Sequence, residues 1–285
     1  MLRARGHWAL DGRHARITVV PRPVWLIERD PDLASNVPPS KHSELHAAAV
    51  APAVELSCGT WEPCAAATRP SDDVALFVLD GMIVNETPVG DRVAAELLAP
   101  GDIVHPWADD GLAPIARETR WVVHKPVTAA VIDARFLART SRWPEFVSEI
   151  VGRCVRRTRM QAIQLLACQM RRVDERLLLF FTVLAERFGR VRPDGIFIPV
   201  LLTHSMIGEV VGAQRPSVTT ALSHLRDSGL VTSLRDGWLL HHEPQFDALM
   251  EALRERQGRS YGLARADDAD VSHSAAASPA LAKSF

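Results

Sequence analysis

The 285-residue chain is short of cysteine, of surplus charge and of long apolar runs, and each shortage removes a class of protein. Its four cysteines include no CxxC pair: Cys58 and Cys64 lie six apart, Cys154 and Cys168 fourteen apart. That argues against a disulfide scaffold and fits a reducing compartment. The four read instead as small buried hydrophobes. No apolar run approaches the roughly 20 residues of a membrane-spanning helix. The first residues, MLRARGHWALDGRHARITVV, carry charges but no long h-region before a small-residue cleavage site, so no secretory leader is expected. A soluble cytoplasmic protein is the expectation. Net charge is −1, which excludes a global pull toward nucleic acid or an anionic membrane. G-x-S-x-G, a Walker loop and H-E-x-x-H are absent. A cupin-type metal site would need clustered His and Glu, and His105 and His124 stand apart without an H-x-H pair. An enzyme and a bound metal are therefore not expected.

What is there divides by texture. Hydrophobic residues make up 47%, enough for real cores, and the length suggests two domains. Residues 1–49 read as an N-terminal arm, ambiguous up to about residue 20, followed by a capped short helix in KHSELHAAAV. From 50 to 142 short β-rich runs alternate with Gly, Pro, Asn and Asp. The runs include Val74–Leu79, Met82–Val84, Val93–Leu98, Arg120–Val123 and Ala129–Ile132; the breaks include Asp80-Gly81 and Pro100-Gly101-Asp102. Closely spaced strands with no intervening helix predict an antiparallel sandwich or β-roll.

After Trp143-Pro144 the period becomes helical, and 143–172 reads as one long helix. One stripe on it, Val147, Val151, Cys154, Thr158, Gln161, Leu165 and Cys168, has alternating 4-3 spacing. Either this helix packs on its own domain or it pairs with its twin in a homodimer. Between Val151 and Arg190 stand nine arginines against Asp174, Glu175 and Glu186, a local surplus of six hidden by the overall balance. Val173–Phe188 reads as a further amphipathic helix opening a domain that runs to about 250. The tail, 258–285, has little periodicity, and disorder is expected there.

The most informative stretch is LTHSMIGEVVGAQRPSVTTALSHLRDSGLV, residues 202–231. Thr203 is a candidate N-cap. Met206, Ile207, Val210 and Val211 follow at helical spacing, and Gly212 permits the positive φ that ends a helix sharply. Pro216 stands in the first turn of a new helix, where a missing amide hydrogen costs nothing. Val218, Ala221, Leu222 and Leu225 form its apolar stripe, and Asp227-Ser228-Gly229 stops it. Two short strands around Arg235-Asp236-Gly237 follow. The pattern is helix, turn, helix, wing. The second helix begins near Gln214 and would present Arg215, Ser217, Thr219, Thr220 and Ser223, a face without acidic residues. A helix N-terminus suits phosphates, a major groove admits one helix, and arginine binds guanine bidentately. Arg235 at the wing completes the residues expected to meet DNA. A plain helical corner is the competing reading; the Arg-Pro-Ser-Val-Thr start, the stop at Gly229 and the wing argue against it.

These residues resemble the Crp/Fnr family of bacterial transcription regulators. The matching positions are Leu202-Thr203, Ile207-Gly208, Val211-Gly212, Arg215, Val218, Leu222, Leu225 and Gly229-Leu230-Val231. VDERLLLFFTVLAERFGRV looks like the helix that precedes the motif in the family, and LFVLDGMIV and LLAPGDIV look like segments of its sensor roll. The likeness spans about 50 to 242. It implies an α+β protein: a cyclic-nucleotide-binding-like β-roll, a long dimerisation helix and a C-terminal winged helix-turn-helix reading a palindromic DNA operator as a homodimer, with RNA polymerase as a further partner. It places Arg215 at the family's main base-reading arginine and Thr203 and His204 at phosphate-contacting positions. Pro216 replaces a frequent base-contacting Glu, and Thr220 a second arginine, so a different recognition sequence is implied. The signature for a cyclic nucleotide is missing: Gly101-Asp102-Ile103-Val104 runs into His105-Pro106-Trp107 without the Glu, and Arg117 and Arg120 read as solvated strand-edge residues. Nor do Cys58 and Cys64 supply the four ligands of an iron–sulfur cluster. No cofactor is expected, and an effector of another kind is left open. The alternatives are a winged helix that docks a protein or serves a small-ligand sensor instead of DNA, and a cupin-like enzyme.

Overall fold

Apolar residues follow one another without a polar break along Ala75–Val78 and Ala129–Ile132 because both faces of these strands are covered. Leu76, Val78, Ala129 and Val131 point into one core with Val54, Leu56, Ile83, Leu98, Val104 and Val123. Ala75, Phe77, Ala130 and Ile132 point into another. The computed structural model describes residues 14–63, 73–106 and 119–241. Cys64, Trp107, Arg117 and the tail from 258 lie outside them, as does the end of the expected winged domain.

The main sheet is antiparallel, ordered β1-β2-β7-β4-β5, with β3 on β7 and β6 on β4. The strands are β1 (Ile17–Trp25), β2 (Val50–Leu56), β3 (Gly59–Trp61), β4 (Asp73–Val89), β5 (Arg92–Leu98), β6 (Ile103–Val104) and β7 (Arg120–Asp133). The expected roll is there, but its strands are longer than the sequence breaks suggested. Asp80-Gly81 does not end a strand. β4 runs through it with shifted register against β7, where Asp80 pairs Thr128 and Met82 pairs Lys125. Pro126 stands at this bulge, where a residue without an N–H is tolerated. The Asp80 carboxylate accepts from Gly81 N at 2.7 Å and from Lys125 Nζ at 3.0 Å, tying the irregularity together. The ambiguous early segment resolves from Ile17 onward as an edge strand paired with β2.

Helices α1 (Leu26–Arg29), α2 (His42–Ala48) and α3 (Ala134–Thr140), with two short 3-10 turns, cover the outer face. Leu26, Leu33, Leu45, Phe136, Trp143 and Phe146 close that core. At roughly 1.5–3 kcal/mol for each large apolar side chain fully buried, these residues hold the cap to the sheet. Asp133 starts α3 by accepting from Phe136 N at 2.7 Å.

α4 (Pro144–Gln169) is the expected long helix. One face meets its own chain. Arg153, 7% exposed, reaches the Asp30 carboxylate at 2.8 Å. Arg157 grips Glu96 with two bonds, of 2.7 and 2.8 Å, and Gln161 adds a third at 2.9 Å. Thus part of the local arginine surplus is neutralised by acids from outside the stretch. The opposite face leaves Val151, Val155, Leu165 and Leu166 exposed. The free stripe therefore runs Val151, Val155, Thr158, Ala162, Leu165. Of the expected stripe, Val151, Cys154, Thr158 and Leu165 are exposed, Gln161 is exposed but bonded to Glu96, and Cys168 is half-buried beside Gly212. The cysteines also depart from expectation: Cys154 is exposed on this outer face, and Cys58 and Cys168 are only half-buried.

α5 (Val173–Phe188), β8 (Arg190–Arg192), β9 (Gly195–Ile198), α6 (His204–Val211), α7 (Arg215–Asp227), β10 (Val231–Leu234) and β11 (Gly237–Leu240) follow in order. The described chain divides into two compact units. One holds residues up to 183 with 202–222; the other holds 184–201 with residues from 223. In the second, an antiparallel sheet ordered β10-β11-β9-β8 buries Phe197, Ile198, Val231 and Trp238. The strand-like IFIPVLL forms a strand only as far as Ile198.

Candidate nucleic-acid interface

The corner between α6 and α7 is built from short-range chemistry. Thr203 has extended backbone angles and its hydroxyl accepts from Met206 N at 3.2 Å, capping α6. Met206, Ile207, Val210 and Val211 are buried. Gly212 has φ +67°, a conformation that favours glycine, and an added Cβ would stand a tight 3.1 Å from Cys168 Sγ. Gly212 N and Ala213 N both bond to Gly208 O, the latter at 2.8 Å. Gln214 O then accepts Val218 N at 3.0 Å, which makes Gln214 the cap of α7. Pro216 sits in the first turn, as expected.

The expected contact face is open. Gln214, Arg215, Ser217, Thr219 and Thr220 are exposed, Ser223 is half-buried, and the first turn of α7 has no acidic residue. Behind it Val218, Ala221 and Leu222 are buried. Thr203 and His204 join this face: His204 Nδ1 lies 2.9 Å from Thr219 Oγ1. Burial, and then the Arg215 charge, hold the His204 imidazole below its usual pKa. Thr219 Oγ1 donates to Arg215 O at 3.0 Å and Thr220 Oγ1 to Pro216 O at 3.2 Å, so both hydroxyl protons are engaged within the helix. These threonines are left with methyl groups and acceptor lone pairs. Ser223 Oγ accepts from Arg226 Nη2 at 2.9 Å. In the second unit, Leu234 pairs Gly237, placing exposed Arg235 in the two-residue turn of the β10–β11 hairpin.

Two residues that sequence reasoning did not single out hold the C-terminal end of α6. Gln164 Nε2, from α4, donates to Val210 O at 2.8 Å and to Ala95 O of β5 at 2.7 Å. Arg176 Nη1, from α5, donates to Gly212 O at 3.0 Å and Val211 O at 3.3 Å, while its Nε donates to Met170 O at 2.7 Å. No local spacing signals the bonds to Ala95, Val210, Val211 and Gly212, which join residues 35 to 69 apart in the chain.

In the roll, the Gly101-Asp102 turn is closed on itself: Asp102 Oδ2 accepts Ala99 N at 2.8 Å. Arg120 is not a simple solvated edge residue, for its Nε donates to the buried carboxylate of Glu86 at 2.8 Å. Among the described residues no three His, Cys, Asp or Glu side chains gather as a metal site. No helix among them is long and apolar enough to cross a membrane.

Residues 175–249 match the family model described as the Crp-like helix-turn-helix domain. Two relatives are both called global nitrogen regulator. The one from Synechococcus elongatus is 41% identical over 61 residues, 21% of this chain and 28% of the relative. The one from Synechocystis sp. is 33% identical over 72 residues, 25% of this chain and 32% of the relative. The chain thus spans about a third or less of the length of these relatives. Among solved structures, a CooA mutant from Carboxydothermus hydrogenoformans aligns over 64% of this chain and 80% of its own, with a TM-score of 0.50 at 17% identity, a likeness of fold.

Proposed function

The C-terminal part of this chain belongs to the Crp-like helix-turn-helix family, and from that premise we propose that the protein is a sequence-specific, double-stranded DNA-binding transcription regulator. The observation that carries the reading is the uncovered polar face opening α7: Gln214, Arg215, Ser217, Thr219 and Thr220 are exposed and free of acidic neighbours in the first turn. In a major groove this face puts Arg215 against base edges, where a bidentate pair with guanine discriminates by about 1–3 kcal/mol. Thr219 and Thr220 offer acceptors and methyl groups, suited to cytosine or adenine amino groups and to the thymine methyl. Thr203, His204 and the wing residue Arg235 lie where phosphates are met. α4 pairs two copies through its exposed stripe, so the operator is two-fold symmetric. The roll is the sensor of an effector that is not a cyclic nucleotide of the usual signature. The protein acts by binding, not by catalysis.

The test compares Arg215→Ala with the unaltered protein on an operator recovered by selection from random duplexes and on scrambled DNA. Fluorescence anisotropy should report a loss of about 5- to 150-fold on the operator and a much smaller loss on scrambled DNA. Equal losses on both would remove the base-reading role.

A further inference from the structure

The α6–α7 corner is held from outside by side chains of α4 and α5. An α-helix leaves its last four carbonyls without intrahelical partners. In α6, Val210 O and Val211 O are such groups, and Gly212 O lies at the turn. Gln164 takes the first and Arg176 takes the other two. A guanidinium at this end also opposes the negative pole of the helix. Neither donor lies on α6 or α7, and Gln164 lies outside the matched helix-turn-helix domain altogether.

Gln164 does more than cap. A primary amide nitrogen has two hydrogens, and this one engages both: one on Val210 O, the other on Ala95 O. β5 is an edge strand of the sheet, so the amide ties a sheet edge, α4 and α6 together. α4 is itself anchored to the helical cap through Arg153–Asp30 and to the roll through Arg157–Glu96. Gly212 packs so close to Cys168 that a methyl group would not fit without movement. The corner is thus referenced to α4 by bonds to backbone carbonyls and by a tight contact, with little slack between them.

We propose that Gln164 and Arg176 are positioning residues that set the half-site spacing the protein accepts. The inference rests on reading α7 as the base-reading helix and α4 as the dimer helix. If two copies join along the outer stripe of α4, the link from α4 through Gln164 and Arg176 to the carbonyl end of α6 fixes the separation of the two recognition helices. Half-sites on one side of a duplex lie roughly 34–36 Å apart. One inserted base pair moves a half-site by about 3.4 Å along the axis and also rotates it around the duplex. A stiff joint rejects that change; a loosened one follows it.

The experiment uses the full chain and an operator selected from random duplexes, re-made with one or two base pairs inserted or one removed at its centre. The unaltered protein loses at least tenfold in affinity for each altered spacing. Gln164→Glu, nearly isosteric but without donors, and Arg176→Met should flatten this profile to within about threefold while leaving affinity for an isolated half-site unchanged. Thermal melting and sedimentation verify that both variants remain folded and dimeric. Folded, dimeric variants that keep the full spacing preference would overturn the proposal, as would an unaltered protein indifferent to spacing. An unaltered protein that selects no sequence at all would instead remove the DNA-reading function beneath it.

Discussion

A hydroxyl has one proton to give. Thr219 Oγ1 donates to Arg215 O at 3.0 Å and lies 2.9 Å from His204 Nδ1, a contact that braces the start of α6 against the recognition helix. A second histidine makes a stability prediction. His124 on β7 is half-buried, and burial lowers its pKa to about 4. The folded protein therefore keeps it neutral while the unfolded chain protonates it below its ordinary value of about 6.5. The stability that comes from a neutral His124 is present above pH 6.5 and is lost as pH falls toward 4, by at most about 3 kcal/mol. His124→Gln should reduce the fall in urea midpoint between pH 7 and pH 4.5; an identical fall in both proteins would show that His124 does not titrate this way.

At the scale of elements, α4 is a helix with two employments. Its inner face carries Arg153, Arg157, Gln161 and Gln164, each bonded to its own chain. Breaking a buried ion pair such as Arg153–Asp30 by removing one partner typically costs about 3–5 kcal/mol, so this face is not free to serve elsewhere. Its outer face exposes Val151, Val155 and Leu165, the last at 64%. Leu165→Lys should convert a dimer into a monomer at micromolar concentration in sedimentation equilibrium without lowering the melting temperature of the monomer. A variant that stays dimeric would move the self-association surface off α4. The existence and extent of α4 were legible in the sequence, but its outward stripe differs from the expected one by one position at two sites, Val155 for Cys154 and Ala162 for Gln161. Two overlapping 4-3 patterns share Val151, Thr158 and Leu165, and periodicity alone does not choose between them.

For the whole molecule, a net charge of −1 means that affinity for DNA has to come from local placement. Phosphate contacts release counterions, and log affinity falls against log salt with a slope of about 0.9 per phosphate neutralised. Two protomers presenting Arg215, Arg235 and the α7 amides should give a slope of several units between 50 and 200 mM salt, measured by anisotropy. A slope near zero would favour a winged helix that docks another protein through apolar contact. The nine-arginine stretch does not predict this slope, because Arg153 and Arg157 are already paired.

By itself the sequence determined the pieces whose causes lie within about four residues. Thr203 caps, Gly212 turns, Pro216 starts, and the stripe behind Arg215 is buried, because backbone geometry and helical period act locally. Only the tertiary structure decided which side of α4 faces outward, that β4 passes through Asp80-Gly81, and that Gln164 and Arg176 hold the corner. The bond from Gln164 to Ala95 spans 69 residues, that from Arg176 to Gly212 spans 36 and the Arg153–Asp30 pair spans 123. Such partners meet only once the chain has folded, when burial and hydrogen-bond satisfaction choose among faces that periodicity leaves equivalent.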